Sequence, residues 1–263
     1  MNEKLIYQQA TQDGQIQVWQ DDDKRSLWFD RVILQSEIFL SDPAVLPNEA
    51  NRAMLAHLMF GQRPQNILLA GCGGGAIARW FNARSPQTQG DAVELSADVA
   101  EVAKEWFDFP NKQSHWQLHV ADIRDFINES QKIYDFILVD LEEDQYSPRW
   151  LSDKRFLKAC KNRLSEHGVL TLNIIPKNAQ HYTEALWNIR QVFEHRTLSL
   201  PVSGHDNQLI LAFKQAPDTS QIKTTSEAAA KHWGLKLAPY WRSIQQHNPP
   251  GSGICLSHGT LPT

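Results

Sequence analysis

The sequence predicts an α/β fold built on a mostly parallel sheet, and three observations predict it. From Asn66 onward, short apolar runs alternate with segments of helical period, the pattern of successive βαβ units. A glycine-rich stretch, Gly71 to Gly75, lies where the first of these strands runs into a helix. The last two strand-like runs, RTLSLPV (196–202) and NQLILAFK (207–214), are separated only by SGHD (203–206). Such a connection is too short for a parallel crossover, so these two strands must pair antiparallel.

Taken in chain order, residues 4–35 carry the short β-like pieces LIYQQ, QIQVW, SLWF and RVILQ, with turn signals at Asp13-Gly14 and around Asp21 to Lys24. They read as a small antiparallel cap. The next strands are NILLAG (66–71), GDAVEL (90–95), WQLHV (116–120), YDFILVD (134–140) and GVLTLNII (168–175). The first, fourth and fifth are nearly continuous apolar runs, as strands covered on both faces should be. Val99, Val102, Ala103 and Trp106 fall at helical spacing, with Ser96 placed to cap and Asp98 in the first turn. Tyr182, Ala185, Leu186 and Ile189 repeat that spacing, as do Ile77, Trp80 and Phe81 in shorter form. After Lys214 a polar stretch leads into a helix stopped by Gly234 and another begun by Pro239, and NPPGSGICLSHGTLPT reads as a flexible tail. A parallel sheet that finishes in an antiparallel hairpin is the Rossmann-like sheet of class I methyltransferases, whereas a plain dinucleotide-binding sheet usually remains parallel. The expected domains are a β cap over 1–50, a Rossmann-like cofactor-binding domain over 51–214 and a C-terminal helical extension over 215–263.

Composition narrows the function. With 263 residues and 41% hydrophobic content the chain can bury one sizeable core. Its net charge of −4 and lack of a Lys/Arg run argue against nucleic acid as a partner. The start, MNEKLIYQQATQDG, has no apolar signal-peptide core, and runs such as FILV or GVLTLNII are too short to span a bilayer. Three widely separated cysteines, Cys72, Cys160 and Cys255, suit reduced thiols. A cytoplasmic protein with no membrane partner is expected.

The chemistry should lie at the open end of the sheet. Gly71, Gly73, Gly74 and Gly75 let the backbone bend sharply and let a ligand lie against it, although Gly71, Gly73 and Ala76 also satisfy a dinucleotide-binding pattern. An acid that reads ribose hydroxyls is expected about 20 residues beyond such a turn, and Glu94 ends the next strand there. Asp122 follows the third strand, where it can accept a hydrogen bond from an adenine amino group or cap the helix beginning near Ile123. Asp140 ends the fourth strand and is followed by Leu141, Glu142, Glu143 and Asp144, an electrostatic trap for a cation. Crowding raises carboxylate pKa values and suits one of these acids to accept a proton from an ammonium nucleophile. His115 and His119 have metal-like spacing but flank a strand, so no metal is assigned to them.

The ordered segments NILLAGCGGGAIARW, AVELS, HVADIRDF, YDFILVD and GVLTLN resemble the spermidine synthases, the polyamine aminopropyltransferase family. SLWFDRVILQSE and NRAMLAHLMF extend the likeness upstream, to the family's N-terminal strands and the helix leading into the glycine strand, so that it covers roughly residues 15 to 214. The resemblance implies decarboxylated S-adenosylmethionine as the donor, with intact S-adenosylmethionine as the alternative for a methyltransferase, and no metal. It implies a small amine as acceptor and a homodimer. Glu94 with Leu95 would hold the ribose, Asp122 with Ile123 the adenine, and Gln35, Gly71, Gly73 and Gly75 the rest of the donor. Asp140 would orient or deprotonate the amine, assisted by Asp144, and Glu143 and Tyr146 would contact the acceptor. Three departures bear on the acceptor. Gly73 stands where the family's loop carries an acid, Asn51, Arg52 and Ala53 replace its tyrosine-histidine-glutamate motif, and LEEDQYSP replaces its serine-rich gate. Each acid lost from a site for cations costs about 1.5–3 kcal/mol. These losses argue against a standard putrescine acceptor, and they leave a catalytically silent nucleoside-binding relative as a further alternative.

Overall fold

A computed structural model describes residues 3–11, 14–110, 114–143 and 145–254. The turn signal at Asp13, the acid Asp144, the thiol Cys255 and the rest of the expected tail lie outside them. The strands form two sheets. Strands β1 (Lys4–Thr11), β2 (Gly14–Gln20), β3 (Lys24–Phe29) and β4 (Ile33–Phe39) make a four-stranded meander, antiparallel throughout. The second sheet contains β5 (Asn66–Ala70), β6 (Gln89–Glu94), β7 (Trp116–Val120), β8 (Tyr134–Asp140), β9 (Leu164–Ile174), β10 (Thr197–Pro201) and β11 (Gln208–Phe213), in the order β10-β11-β9-β8-β5-β6-β7. It is the mostly parallel, Rossmann-like methyltransferase-type sheet that the sequence predicts. Its final pair, β10 and β11, is antiparallel from Thr197↔Ala212 to Pro201↔Gln208, as the short SGHD connection demands.

The helices are α1 (Glu49–Met54), α2 (Ala76–Arg84), α3 (Ala97–Trp106), α4 (Ile123–Glu129), α5 (Lys154–Arg163), α6 (Ala179–Val192), α7 (Ile222–Trp233) and α8 (Ala238–His247). None of them is long and apolar enough to cross a membrane. The segment MLAHL is not one continuous α-helix: α1 stops at Met54, and a tighter 3-10 turn runs from Ala56 to Phe60 before Gly61 ends it in the left-handed conformation.

The chain divides into two compact units. The first comprises Met1–Asn51 and Leu68–Phe126. Its core is built by period-two alternation in the meander: Ile16, Val18, Leu27 and Ile38 point to one face and pack on Val99, Val102 and Phe107. Burial of each such side chain contributes about 1.5–3 kcal/mol. Ser96 accepts a hydrogen bond from the Val99 amide (3.3 Å), the cap that the sequence places at the start of α3. Gln9 Nε2 reaches Asp98 (2.8 Å) and Tyr7 lies against Trp106, so polar and aromatic contacts tie the meander to this helix.

The second unit comprises Arg52–Ile67 and Ile127–Thr263. Strands β8 and β9 are buried along almost their whole apolar stretches, as their sequences require. β9 begins at Leu164, ahead of the expected Gly168, because the chain enters the strand directly from α5. α7 packs on the 3-10 turn and α8 on β10. Asn248, expected within the tail, is buried: its amide accepts from the Ser199 N–H (2.8 Å) and donates to the Ser199 carbonyl (2.7 Å). These bonds satisfy backbone groups on the edge strand β10 that would otherwise be open to pairing with another chain. The chain stays on that edge as far as Ile254, whose N–H reaches the Thr197 carbonyl (3.3 Å).

Candidate active site

In the first unit the C-terminal end of β5 bends through the glycine turn. The Gly71 N–H bonds to the Val93 carbonyl (2.9 Å), and the Gly75 N–H closes back on the Cys72 carbonyl (2.7 Å). Gly71, Gly73 and Gly75 have φ of 78°, 45° and 76°, the left-handed region that favours glycine. Gly75 is also sterically confined, since a Cβ there would stand 2.6 Å from the Phe109 ring. Gly73 is more open: its nearest neighbour would be the Gln35 carbonyl at 3.5 Å, which brings β4 against the turn.

Glu94 closes this cluster within the first unit. Its carboxylate accepts the Cys72 N–H (3.2 Å) on one oxygen and the Ser96 N–H (3.1 Å) on the other. One side chain therefore fixes both the glycine turn and the entry to α3, and each oxygen keeps a lone pair for a hydroxyl. Beside it Leu95 is 71% exposed, an apolar surface next to a polar acceptor. Burial and the Glu94 charge push the Cys72 thiol well above its ordinary pKa, so it stays a neutral filler of the turn.

Strand β7 runs parallel to β6 with Glu94 opposite Val120, which puts Asp122 just beyond the neighbouring strand end. Asp122 accepts the Arg124 N–H (2.8 Å) and is bridged by the Arg124 guanidinium, which holds its pKa below the usual carboxylate range. The side chain thus caps α4, and any adenine contact must share it with Arg124. Ile123 is buried in α4, so its side chain serves the core.

In the second unit Asp140 ends β8 opposite Asn173 of β9. Burial raises the Asp140 pKa, and a 2.7 Å hydrogen bond from Asn173 Nδ2 opposes that rise. Glu142, on the loop that follows, is raised to about 6 by desolvation and then by the Asp140 charge. The loop folds back at once: Glu143 and Tyr146 exchange backbone hydrogen bonds (2.7 and 3.0 Å) around Gln145, whose φ is 67°. Tyr146 is 39% exposed, with the Lys177 ammonium over its ring at 6.0 Å. Ser147 fastens the loop to β9, exchanging bonds with the Ile175 N–H (2.8 Å) and the Asn173 carbonyl (3.2 Å).

The first unit thus gathers Gln35, the glycines, Glu94 and Leu95, and the second gathers Asp140, Glu142, Glu143 and Tyr146. Two residues that bear on these groups are not among the sequence-derived candidates. Arg79 of α2 is buried, its Nε bonds to the Pro43 carbonyl (3.1 Å), and its Nη1 bonds to the carbonyls of Gly74 and Phe107. It ties the glycine turn to the loop after β4 and to the end of α3. The available signal was an arginine inside the apolar run AIARWF. Asn173 is the second, signalled by an amide at the end of the apolar run GVLTLN. Among the described residues no group of three or more His, Cys, Asp or Glu side chains is arranged to hold a metal ion. His119 instead bonds to Asp91 (2.9 Å).

Comparison with known proteins agrees with this architecture. Residues 49–200, more than half of the chain, match the spermine/spermidine synthase domain. A polyamine aminopropyltransferase of Chromobacterium violaceum is 29% identical over 247 residues, 92% of this chain and 94% of that protein. The crystal structure of a probable spermidine synthase from Corynebacterium glutamicum superposes with a TM-score of 0.74 at 19% identity, covering 98% of this chain and 100% of that one. Human methyltransferase-like protein 13, crystallised with SAH, gives a TM-score of 0.65 at 25% identity over 71% of this chain and 93% of its own. On the extent of the family match, the chain belongs to the spermine/spermidine synthase family and is a transferase.

Proposed function

We propose that the chain moves an aminopropyl group from decarboxylated S-adenosylmethionine to a small amine in polyamine biosynthesis. The observation that carries this reading is Asp140, a half-buried carboxylate at the end of β8 whose pKa is raised by desolvation and whose partner is a neutral amide. An attacking amine must be neutral, and it must lose a proton once it has reacted. The amine nitrogen forms a bond to the propyl carbon beside the sulfonium, and the carbon–sulfur bond breaks with its electron pair going to sulfur. Methylthioadenosine leaves, and Asp140 takes the proton from the new ammonium. The enzyme's contribution is to orient the two reactants and to keep water from the amine.

In this reading Glu94 with Leu95 holds the ribose, Asp122 the adenine, and the backbone at Gly71, Gly73, Gly75, Gln35 and Ile123 the remainder of the donor. Asp144 assists Asp140, and Glu143 and Tyr146 attract the acceptor. A cytoplasmic homodimer completes the picture, and light scattering tests its second half. Incubation with decarboxylated S-adenosylmethionine and a panel of amines should release methylthioadenosine. Asp140→Asn should lower the rate far more than it lowers donor affinity. Failure to release methylthioadenosine with every amine would overturn the reading.

A specific observation favours a second reading, methyl transfer from intact S-adenosylmethionine. At Gly73 no side chain occupies the turn, which leaves space for a donor carboxylate. Calorimetric titration with both donors separates the two, because preference for the decarboxylated form excludes methyl transfer.

A further inference from the structure

Asp140 does not stand alone at the end of β8. Its Oδ1 accepts from Asn173 Nδ2 at 2.7 Å, and Asn173 Oδ1 in turn accepts from Asn207 Nδ2 at 3.0 Å. Asn207 lies at the end of the turn joining β10 to β11, in the wall of an open concavity of about 510 Å³ lined by Ile175, Gly204, His205, Asp206 and Asn207. Asn173 is 2% exposed, and its carbonyl is engaged by Ser147 Oγ, so neither its backbone nor its side chain is free to wander.

The direction of these bonds matters. An amide side chain can present either its oxygen or its nitrogen to a neighbour. Asn173 turns its nitrogen to Asp140, whose carboxylate can only accept, and its oxygen to Asn207, so the two bonds are mutually consistent. A flipped amide would set an oxygen against the carboxylate and a nitrogen against a nitrogen, two repulsive pairs in place of two bonds. In this arrangement Asn173 offers Asp140 a donor, and a donor favours the charged, proton-accepting form of the acid. Burial pulls the other way, and Glu142 adds a second carboxylate whose charge interacts with that of Asp140.

We propose that Asn173 and Asn207 are positioning residues for Asp140, forming a neutral relay that fixes the acid's orientation and keeps it able to accept a proton. Its relevance to turnover rests on the reading of Asp140 as the proton acceptor, but the relay is testable without it. Asn207, on the turn, is the variant of choice, because Asn173 is buried and its replacement risks the fold.

The experiment titrates the Asp140 carboxyl by infrared difference spectroscopy, with Asp140→Asn identifying its band, in the full-length wild type, Asn207→Ala and Asn207→Gln. Loss of a hydrogen bond to a charged group corresponds to about one to two pKa units, and that is the ceiling for a variant that only releases the amide. Asn207→Ala should raise the Asp140 pKa by roughly half a unit to one unit, and Asn207→Gln should recover at least part of the shift. If methylthioadenosine release is observed, the acidic limb of its kcat profile should move by the same amount, with KM for the donor unchanged. An identical Asp140 titration in wild type and Asn207→Ala would overturn the relay whether or not the protein turns over any substrate. A shifted titration with no turnover would leave the relay standing and count against the transferase reading alone.

Discussion

Replacing Glu94 by Gln separates structure from binding, because the carboxylate has two tasks that the amide fails in different ways. In the ligand-free protein one oxygen holds the Cys72 N–H (3.2 Å) and the other the Ser96 N–H (3.1 Å). Glutamine keeps one acceptor and points an NH2 group at the other amide. Leaving a half-buried N–H without its acceptor costs about 1–3 kcal/mol. For a chain of this size each kcal/mol corresponds to roughly 2–4 °C, so the melting temperature should fall by roughly 2–12 °C. Binding carries a second cost. If the free lone pairs take the ribose hydroxyls, loss of one charge-assisted bond weakens the nucleoside by about 1.5–3 kcal/mol, or roughly 10- to 150-fold in Kd. Scanning fluorimetry reads the first effect, and isothermal calorimetry with methylthioadenosine and both sulfonium donors reads the second. A fall in melting temperature with Kd unchanged within twofold would refute the ribose assignment and leave Glu94 as a clasp for the glycine turn.

Three further outcomes follow from the geometry. Gly75→Ala forces a side chain into a backbone at φ 76° and sets a methyl 2.6 Å from the Phe109 ring, so chemical denaturation should show a loss of about 2–4 kcal/mol; a loss under 0.5 kcal/mol would mean the turn relaxes freely. Arg79→Lys keeps the charge but cannot reach three carbonyls from three segments, and should lower stability by about 2–3 kcal/mol while weakening donor affinity, both read by fluorimetry with and without donor. The Glu142 pKa rises on folding from 4.5 to about 6, so the folded state binds the extra proton and stability should fall as pH climbs through that window. The loop is exposed, so the effect is small, and Glu142→Gln should flatten the melting-temperature profile between these pH values; an unchanged profile would contradict the shift.

What the sequence makes legible follows from the range of the forces involved. YDFILVD marks β8 to the residue, because a buried strand needs a continuous apolar run and nothing else nearby supplies one, whereas WQLHV marks the largely open β7 by its β-favouring side chains alone. Ser96 and Gly234 act locally, through their own turn of chain, so the start of α3 and the end of α7 are written within a few residues. On α6 the same logic is less complete: the buried stripe runs through His181, Ala185, Ile189 and Val192, so the periodic set at Tyr182 and Leu186 sits on its flank.

The supporting polar residues are harder to read, and the reason is physical. Arg79 serves carbonyls of Pro43, Gly74 and Phe107, groups that every residue type possesses and that leave no mark in a sequence. Asn173 is defined by partners 33 and 34 positions away, one on each side along the chain. A catalytic acid can be picked out by its type at a strand end, because its chemistry is intrinsic to the side chain. What makes that acid usable depends on which lone pair faces which proton, and only the folded register of β8, β9 and the β10–β11 turn decides that. Divergence at acceptor-binding motifs therefore says little about whether the proton-accepting apparatus is intact. On the expectation that Asn51, Arg52 and Ala53 stand where the family has a carboxylate, Asp140 still has a half-buried setting and a directed donor. Under the proposed reading of Asp140, a change of acceptor accounts for that combination more economically than a loss of catalysis does, because the desolvation of the acid is offset by a dedicated amide.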